Sequence, residues 1–389
     1  MTDRAGTFDG VHRRNLSKVL GLVHLEGPLS RARLTVSTGL NRSTVASLVA
    51  ELVSLGLAVE QAPDPTNRVG RPSPVVAADS NVLAIAVNPE VDAITIAAVG
   101  IDGRIPVRER IEVERLPTPE ETAALVASVR DRWSAGPLRE GRFVGVGLAV
   151  PGLVRATDGL VRWAPHLQWT DVPLRTLVED ATGLPAAVAN DASLGAIAEH
   201  LFGAGRGIDD LVYLNGGASG IGGGLIVHGM PVGGAGGYAG EFGQNRPGIA
   251  ADGDRRAADG VLEDEVSRSR LLAVAGLEHA DEPTLAAALS SAGTRPVDDE
   301  LARQRRILAT ALSNAVNVLN PSLVVLGGFL ATIAERDLGA LERAVAAQAL
   351  PAAAEDLAIR VAELGEDRLM IGAAEIAFAA LLADPLAAA

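Results

Sequence analysis

The sequence predicts an α/β protein: a winged helix-turn-helix head followed by two similar α/β lobes. Three observations carry that expectation. The first eighty residues hold three short amphipathic helical patterns and then a strand pair. The rest of the chain runs twice through one order, strands first and helix–strand alternation after. Each half also contains a buried apolar strand ending at a glycine turn, "FVGVGLAV" (143–150) and "LVVLGG" (323–328).

Composition sets the bounds. The 389 residues are 48% hydrophobic and 21% charged, which favours a well-buried core over disorder. No long uninterrupted apolar run suggests a membrane span, and "MTDRAGTFDGVHRRN" has no signal-peptide core, so a cytoplasmic protein is expected. The absence of cysteine excludes disulfides, thiolate metal sites and thiol catalysis. The net charge is −14, yet residues 1–80 carry nine Lys/Arg against seven Asp/Glu, leaving −16 for the remainder. A mildly basic head on an acidic body suits a nucleic-acid-binding module.

In the head, "VHRRNLSKVLGLVHL" (11–25) places Leu16, Val19, Leu20 and Val23 on one helical face. Ser30 is a natural cap for "RARLTVST", and Gly39 ends that helix. Asn41 can cap "RSTVASLVAELVSLG", whose Val45, Leu48, Val49, Leu52 and Leu55 follow helical spacing. Two helices joined by a tight glycine turn make a helix-turn-helix. Arg31, Asn41, Arg42, Ser43, Thr44 and Ser47 then become DNA-contact candidates, most of them at the recognition-helix N-terminus, where the dipole also favours phosphate. "LAVEQAPDPTNRVGRPSPVVAA" reads as a hairpin wing with Arg68 and Arg71 at its tip, suited to phosphate or minor-groove contact. The competing reading is a small helical bundle with surface arginines.

In the body, "VLAIAV", "DAITIAAV" and "RIPVRERIEV" read as successive strands, followed by the helix "PEETAALVASVRDRW" (119–133). "DLVYLNGG" and "GIGGGLIVHG" restart the pattern. The glycine run "NGGASGIGGG" (215–224) is the kind of stretch that lets backbone N–H groups crowd around a phosphate.

The motifs "GRPSP", "APHLQW", "ANDASLGAIAEHLFGAGRG", "GASGIGGGLIVHG", "GYAGEFGQ" and "NVLNPSLVVLGGFL", together with the helix-turn-helix, resemble the winged-helix branch of the ROK family. That branch comprises sugar-responsive regulators built on a sugar-kinase fold. The resemblance implies an actin/hexokinase-like (ribonuclease H-like) ROK domain. It implies a DNA-binding domain at 1–80, a first lobe at 81–190 plus 370–389, and a second lobe at 191–369. Its partners would be double-stranded operator DNA and a sugar or sugar derivative bound between the lobes, in a homodimer or homotetramer that acts as a repressor without a cofactor. The alternatives are a sugar kinase carrying a DNA-binding head and a regulator that answers to a protein partner.

Asp191 matches the family's kinase base, while Asn190, Glu241 and Glu263 fall where the family contacts sugar hydroxyls. Carboxylates accept charge-assisted hydrogen bonds from hydroxyls, which gives affinity and orientation. Asp191 could equally be a helix cap, and Glu241 a solvated turn carboxylate. His166 stands where family kinases carry Asn; it could donate a similar bond or be a plain loop histidine. Where the kinases carry Asp-x-Gly-Gly-Thr after the first strand, this chain reads "NPEVD", Asn88 to Asp92. Pro89 removes a donor, and Glu90 and Asp92 would repel a triphosphate by about 1–4 kcal/mol per close contact. No meaningful kinase activity is therefore expected. Many family members also hold a structural zinc with one His and three Cys. Here Gln244, Asp254, Arg256 and Val261 take those places and cannot supply a tetrahedral soft-ligand set. No zinc is expected, and the loop 245–260, without that staple, is expected to be mobile. Gln244 remains an effector-contact candidate.

Overall fold

The computed structural model describes residues 3–61, 74–249, 251–291 and 293–387. The chain forms two compact units, one of residues 1–149, 171–188 and 373–389, the other of residues 150–170 and 189–372.

The first unit begins with the head. Helix α1 (Asp3–Glu26) starts earlier than the apolar pattern suggested and leads through strand β1 (Leu29–Ser30) to α2 (Arg31–Thr38) and α3 (Arg42–Ser54). The Ser30 side chain accepts from the backbone N–H of Arg33, and the Asn41 side chain accepts from that of Thr44, so both helices have the expected caps. Gly39 takes the left-handed conformation (φ 71°) that a tight interhelical turn requires. Leu16, Val19, Leu20, Leu34, Val45, Val49 and Leu52 are completely buried and form the head's core. Strands β2 (Ala58–Gln61) and β3 (Val75–Ala78) pair antiparallel as the base of the wing, and β1 adds on the other side of β3. The wing tip, with Arg68 and Arg71, lies outside the described residues.

A five-stranded sheet follows. Strands β4 (Val82–Pro89), β5 (Ala93–Gly100) and β6 (Val107–Glu112) form an antiparallel meander. Helix α4 (Pro119–Ala135), opened by a Thr118–Glu121 capping box, leads to β7 (Arg142–Val150), which pairs parallel with β4. After the small strands β8 (Leu153–Val154), β9 (Val161–Ala164) and β10 (Trp169–Val172) come α5 (Leu174–Thr182) and β11 (Ala186–Asn190). The sheet order is β11-β7-β4-β5-β6.

The second unit repeats this plan. Helix α6 (Asp191–Phe202) leads to β12 (Leu211–Gly217), β13 (Gly220–Val227) and β14 (Met230–Pro231). Helices α7 (Leu262–Glu265), α8 (Arg268–Ala275), α9 (Glu282–Ser291) and α10 (Arg295–Leu319) precede β15 (Leu323–Gly328). Then come α11 (Phe329–Arg336), α12 (Leu338–Ala346), α13 (Pro351–Ala354), β16 (Ala358–Val361) and the long C-terminal α14 (Arg368–Ala383). The order β14-β13-β12-β15-β16 is that of the first sheet read from its other edge, so the duplication read from the sequence is a duplication of topology. Val212, Leu214, Leu308, Leu312, Val324 and Leu326 belong to the core cluster that joins this sheet to α10.

Candidate functional site

Six sequence-predicted effector contacts belong to the second unit. Asn190 and Asp191 sit where β11 turns into α6. Asn190 is the helix cap: its Oδ1 accepts from Ser193 N at 2.9 Å and its Nδ2 donates to Gly152 O at 3.1 Å. Capping therefore falls to Asn190. Asp191, the first helical residue, accepts from Ala192 N at 2.8 Å, with its charge at the positive end of the helix.

Glu241 reaches the same neighbourhood from the glycine-rich loop. Gly240 holds a φ of +100°, and a Cβ there would stand 2.4 Å from Gly223 O, so only glycine lets this loop lie flat on β13. Glu241 is half-buried. Burial, together with the negative charges of Asp191 and Glu263, raises its carboxyl above the usual glutamate range. Two carboxylates thus act electrostatically on a third, Glu241. Glu263, on α7, is oriented from two sides: Oε2 accepts from Ile221 N at 3.0 Å and Oε1 accepts from Gln244 Nε2 at 2.7 Å. With its amide N–H so engaged, Gln244 presents its carbonyl as an acceptor. His166 is exposed in a short turn, Pro165–Leu167, between β9 and β10; no hydrogen bond among the described residues ties it to the carboxylates.

The glycine run is packing material. A Cβ on Gly222 would meet Ala192 Cβ at 2.6 Å, and one on Gly224 would meet Ala196 Cβ at 2.4 Å, so α6 rests directly on the hairpin. At the corresponding place in the first unit, Pro89, Glu90 and Asp92 form the β4–β5 turn. Glu90 N donates to Ala93 O at 2.8 Å, and Asp92 accepts from Arg110 at 2.8 Å.

In the loop after Gln244, residues 254–257 engage a buried ion-pair network. Glu265, fully buried, accepts the backbone N–H groups of Arg256 and Ala257 at 2.9 Å and pairs with Arg303 at 3.0 Å. Arg303, 2% exposed, also donates to Asp254 O and to Glu300, while Arg306 grips the Asp254 carboxylate with two bonds. Among the described residues no group of three or more His, Cys, Asp or Glu is arranged to hold a metal ion. Sequence reading missed this network, though a signal exists: Gln304 breaks the apolar series Val297, Leu301, Leu308, Leu312 along α10 and is fully buried against Ser267 and Glu300.

In the head, Arg42, Ser43 and Ser47 are exposed on α3 and Thr44 is partly so. Two of the other candidates have structural employment. Asn41 is the cap and also accepts from Ser43 Oγ at 2.7 Å; Arg31 makes a forked pair with Glu60 at 2.6 and 2.7 Å, tying α2 to the wing strand.

The chain matches the ROK family over residues 84–380. It is 26% identical to a xylose repressor of Caldicellulosiruptor bescii across 92% of this chain and 93% of the relative. It is 31% identical to a glucokinase of Halalkalibacterium halodurans across 59% of this chain and 74% of the relative. The fold is that of a solved ROK-family transcriptional regulator described as a homologue of the E. coli MLC protein, with a TM-score of 0.77, 22% identity, and coverage of 97% and 98% of the two chains. Repressor-type relatives align with the head as well as the body, and the family match spans most of the chain: the protein belongs to the ROK family.

Proposed function

We propose that this ROK protein is a sugar-responsive, DNA-binding transcriptional repressor whose sugar-binding half no longer transfers phosphate. On this reading residues 1–80 are the DNA-binding domain, 81–190 plus 370–389 the first lobe and 191–369 the second. The protein works in the cytoplasm as a homodimer or homotetramer on operator DNA. Arg42, Ser43, Thr44 and Ser47 face the major groove; Arg68 and Arg71 of the wing reach phosphate or the minor groove.

The observation that carries the effector reading is the meeting of Asp191, Glu241 and Glu263, with Asn190 and Gln244 beside them, in one acceptor-rich neighbourhood. Such a set suits a neutral polyol, whose hydroxyls donate to carboxylates. Each hydroxyl hydrogen bond that Glu241 accepts also offsets the repulsion of Asp191 and Glu263. His166 completes the contact set from its turn. A glucokinase among the relatives makes phosphoryl transfer the rival reading. Against it stand Pro89, Glu90 and Asp92 at the β4–β5 turn, where a phosphate cradle needs glycine and unengaged N–H groups.

The test is calorimetric titration of the full chain with D-xylose, D-glucose and N-acetyl-D-glucosamine, repeated with Asp191→Asn. At least one sugar should bind, and the variant should lose tenfold or more. Absence of binding by these and a wider neutral-sugar panel would overturn the effector reading. ADP formation faster than about one turnover per second with any of them would overturn the loss of kinase activity.

A further inference from the structure

Helix α7 (Leu262–Glu265) is four residues long, and so short a helix does not hold its own place in water. Its position comes from what grips it, and every group involved lies in the second unit. At its start, Leu262 N donates to Asn245 O at 2.8 Å, which closes the loop that begins at Gln244. At its end the grip comes from α10. Arg303 donates from Nη2 to Glu265 O at 2.7 Å and from Nη1 to the Glu265 carboxylate at 3.0 Å. The next residue of α10, Gln304, makes two bonds at 3.1 Å with the backbone N–H and carbonyl of Ser267, just past α7. Leu262 and Val266, both completely buried, share a core cluster with Leu301 and Leu308 of α10.

Glu263 runs from this seated helix to β13. Its Oε2 accepts from Ile221 N at 3.0 Å, and its Oε1 accepts from the Gln244 side-chain amide at 2.7 Å. One carboxylate therefore orients two of the effector-contact candidates, itself and Gln244. A Cβ on Gly243 would stand 2.7 Å from Glu263 Oε2, and one on Gly220 would clash with the same oxygen, so the carboxylate lies tight against two glycines. The Arg303–Glu265 pair behind it is 2% and 0% exposed. Burying two charges costs about as much as their attraction returns, so such a pair adds little stability over apolar residues of the same shape. What it supplies is direction. A planar guanidinium that engages both the carboxylate and the carbonyl of one residue admits a narrow range of orientations for that residue.

We infer that Arg303 is a positioning residue for the effector site. By fixing the carboxylate and the carbonyl of Glu265 together, it sets the rotation of α7, and with it the place of the Glu263 carboxylate and the Gln244 amide. The inference rests on the proposed effector reading for the use made of that geometry. A one-turn helix pivots as a unit, so a tilt at Glu265 reaches Glu263 directly.

Two experiments test this role. The first needs no effector. In NMR spectra of the unliganded full chain, Arg303→Met should shift the Ile221 backbone amide and the Gln244 side-chain amide, the two donors to Glu263, and leave the amides of Leu211 to Leu214 on β12 in place. Arg336→Met, which breaks a 2.8 Å pair with Asp298 in the same unit, should move neither donor. Unmoved Ile221 and Gln244 resonances after Arg303→Met would overturn the inference whatever the effector proves to be. The second measures affinity for the sugar that calorimetry identifies. Arg303→Met should weaken it by about fivefold or more, but by less than about twofold when Glu263→Gln is already present, because both act through one carboxylate. A residue that merely holds the fold would cost the same in both backgrounds, and that additivity would overturn the inference. Absence of sugar binding by the wild type would count against the effector reading alone, with the first experiment still deciding whether Arg303 places Glu263. Should Arg303→Met fail to fold, Arg303→Met with Glu265→Gln, which removes the buried carboxylate charge, serves in both experiments with the same outcomes.

Discussion

The buried network around Glu265 makes the sharpest stability prediction, and Arg303→Met is the perturbation. In the wild type the guanidinium makes five hydrogen bonds, to Glu265 Oε2 and O, to both oxygens of Glu300 and to Asp254 O, at 2.7 to 3.0 Å. Methionine fills most of the volume but removes the charge. Glu265, fully buried, would then keep only the N–H groups of Arg256 and Ala257. Leaving one member of such a pair unmatched costs about 3–5 kcal/mol, a large share of the roughly 5–15 kcal/mol that holds a domain together. The assay is urea unfolding followed by hydrogen exchange of α10 amides, which reports the second unit specifically. Glu265→Gln placed on top of Arg303→Met removes the stranded charge and should recover at least about 1 kcal/mol, a coupling that independent sites would not give. A loss below about 1 kcal/mol for the single variant, or plain additivity in the double, would refute the view that this ion pair staples the 253–257 segment.

Three further outcomes follow from the same geometry. Asn41→Ala should destabilise the head by about 1 kcal/mol in thermal unfolding through loss of the cap, whereas Arg42→Ala should leave stability alone and weaken specific over nonspecific DNA binding by about 1–3 kcal/mol in a fluorescence-anisotropy titration. Glu241 accepts sugar hydroxyls only as the carboxylate, and burial with two like-charged neighbours raises its pKa, so calorimetry should show sugar affinity falling as pH drops through that raised value, with Glu241→Gln flattening the profile. Burial alone would depress His24, but the hydrogen bond and charge of Glu375, with Ile101 O and Asp102, hold its pKa above 6.5. The folded value being the raised one, the stabilisation of the head is fully present below pH 6.5 and fades as pH rises through the folded value; head melting followed by hydrogen exchange should show this, and His24→Gln should abolish it.

Much of this was legible because the signals are local. Caps at Ser30 and Asn41, the glycine turn at Gly39 and the apolar strands at 82–89 and 323–328 follow from side-chain chemistry within a few residues. The candidate site residues come from motifs, and the structure adds that Asp191 and Glu263 act electrostatically on Glu241, while His166 stands on a separate turn. What escaped was long-range pairing. Nothing near Glu265 in sequence points to Arg303, and nothing near His24 points to Glu375, 351 residues away. The partners of residues 254–257 lie on α7 and α10, beyond the reach of a local reading. The fork from Arg31 to Glu60 likewise depends on how the wing strand folds back.

The central claim is that sugar at the carboxylate site loosens the grip of the head on DNA without phosphate transfer. The direct measurement is operator affinity of the full chain, on fragments it selects in vitro, with and without the sugar that calorimetry identifies. The account predicts at least a tenfold loss of operator affinity at saturating sugar, about 1.4 kcal/mol of coupling, unchanged by ATP. Operator affinity that stays the same under saturating sugar would contradict it.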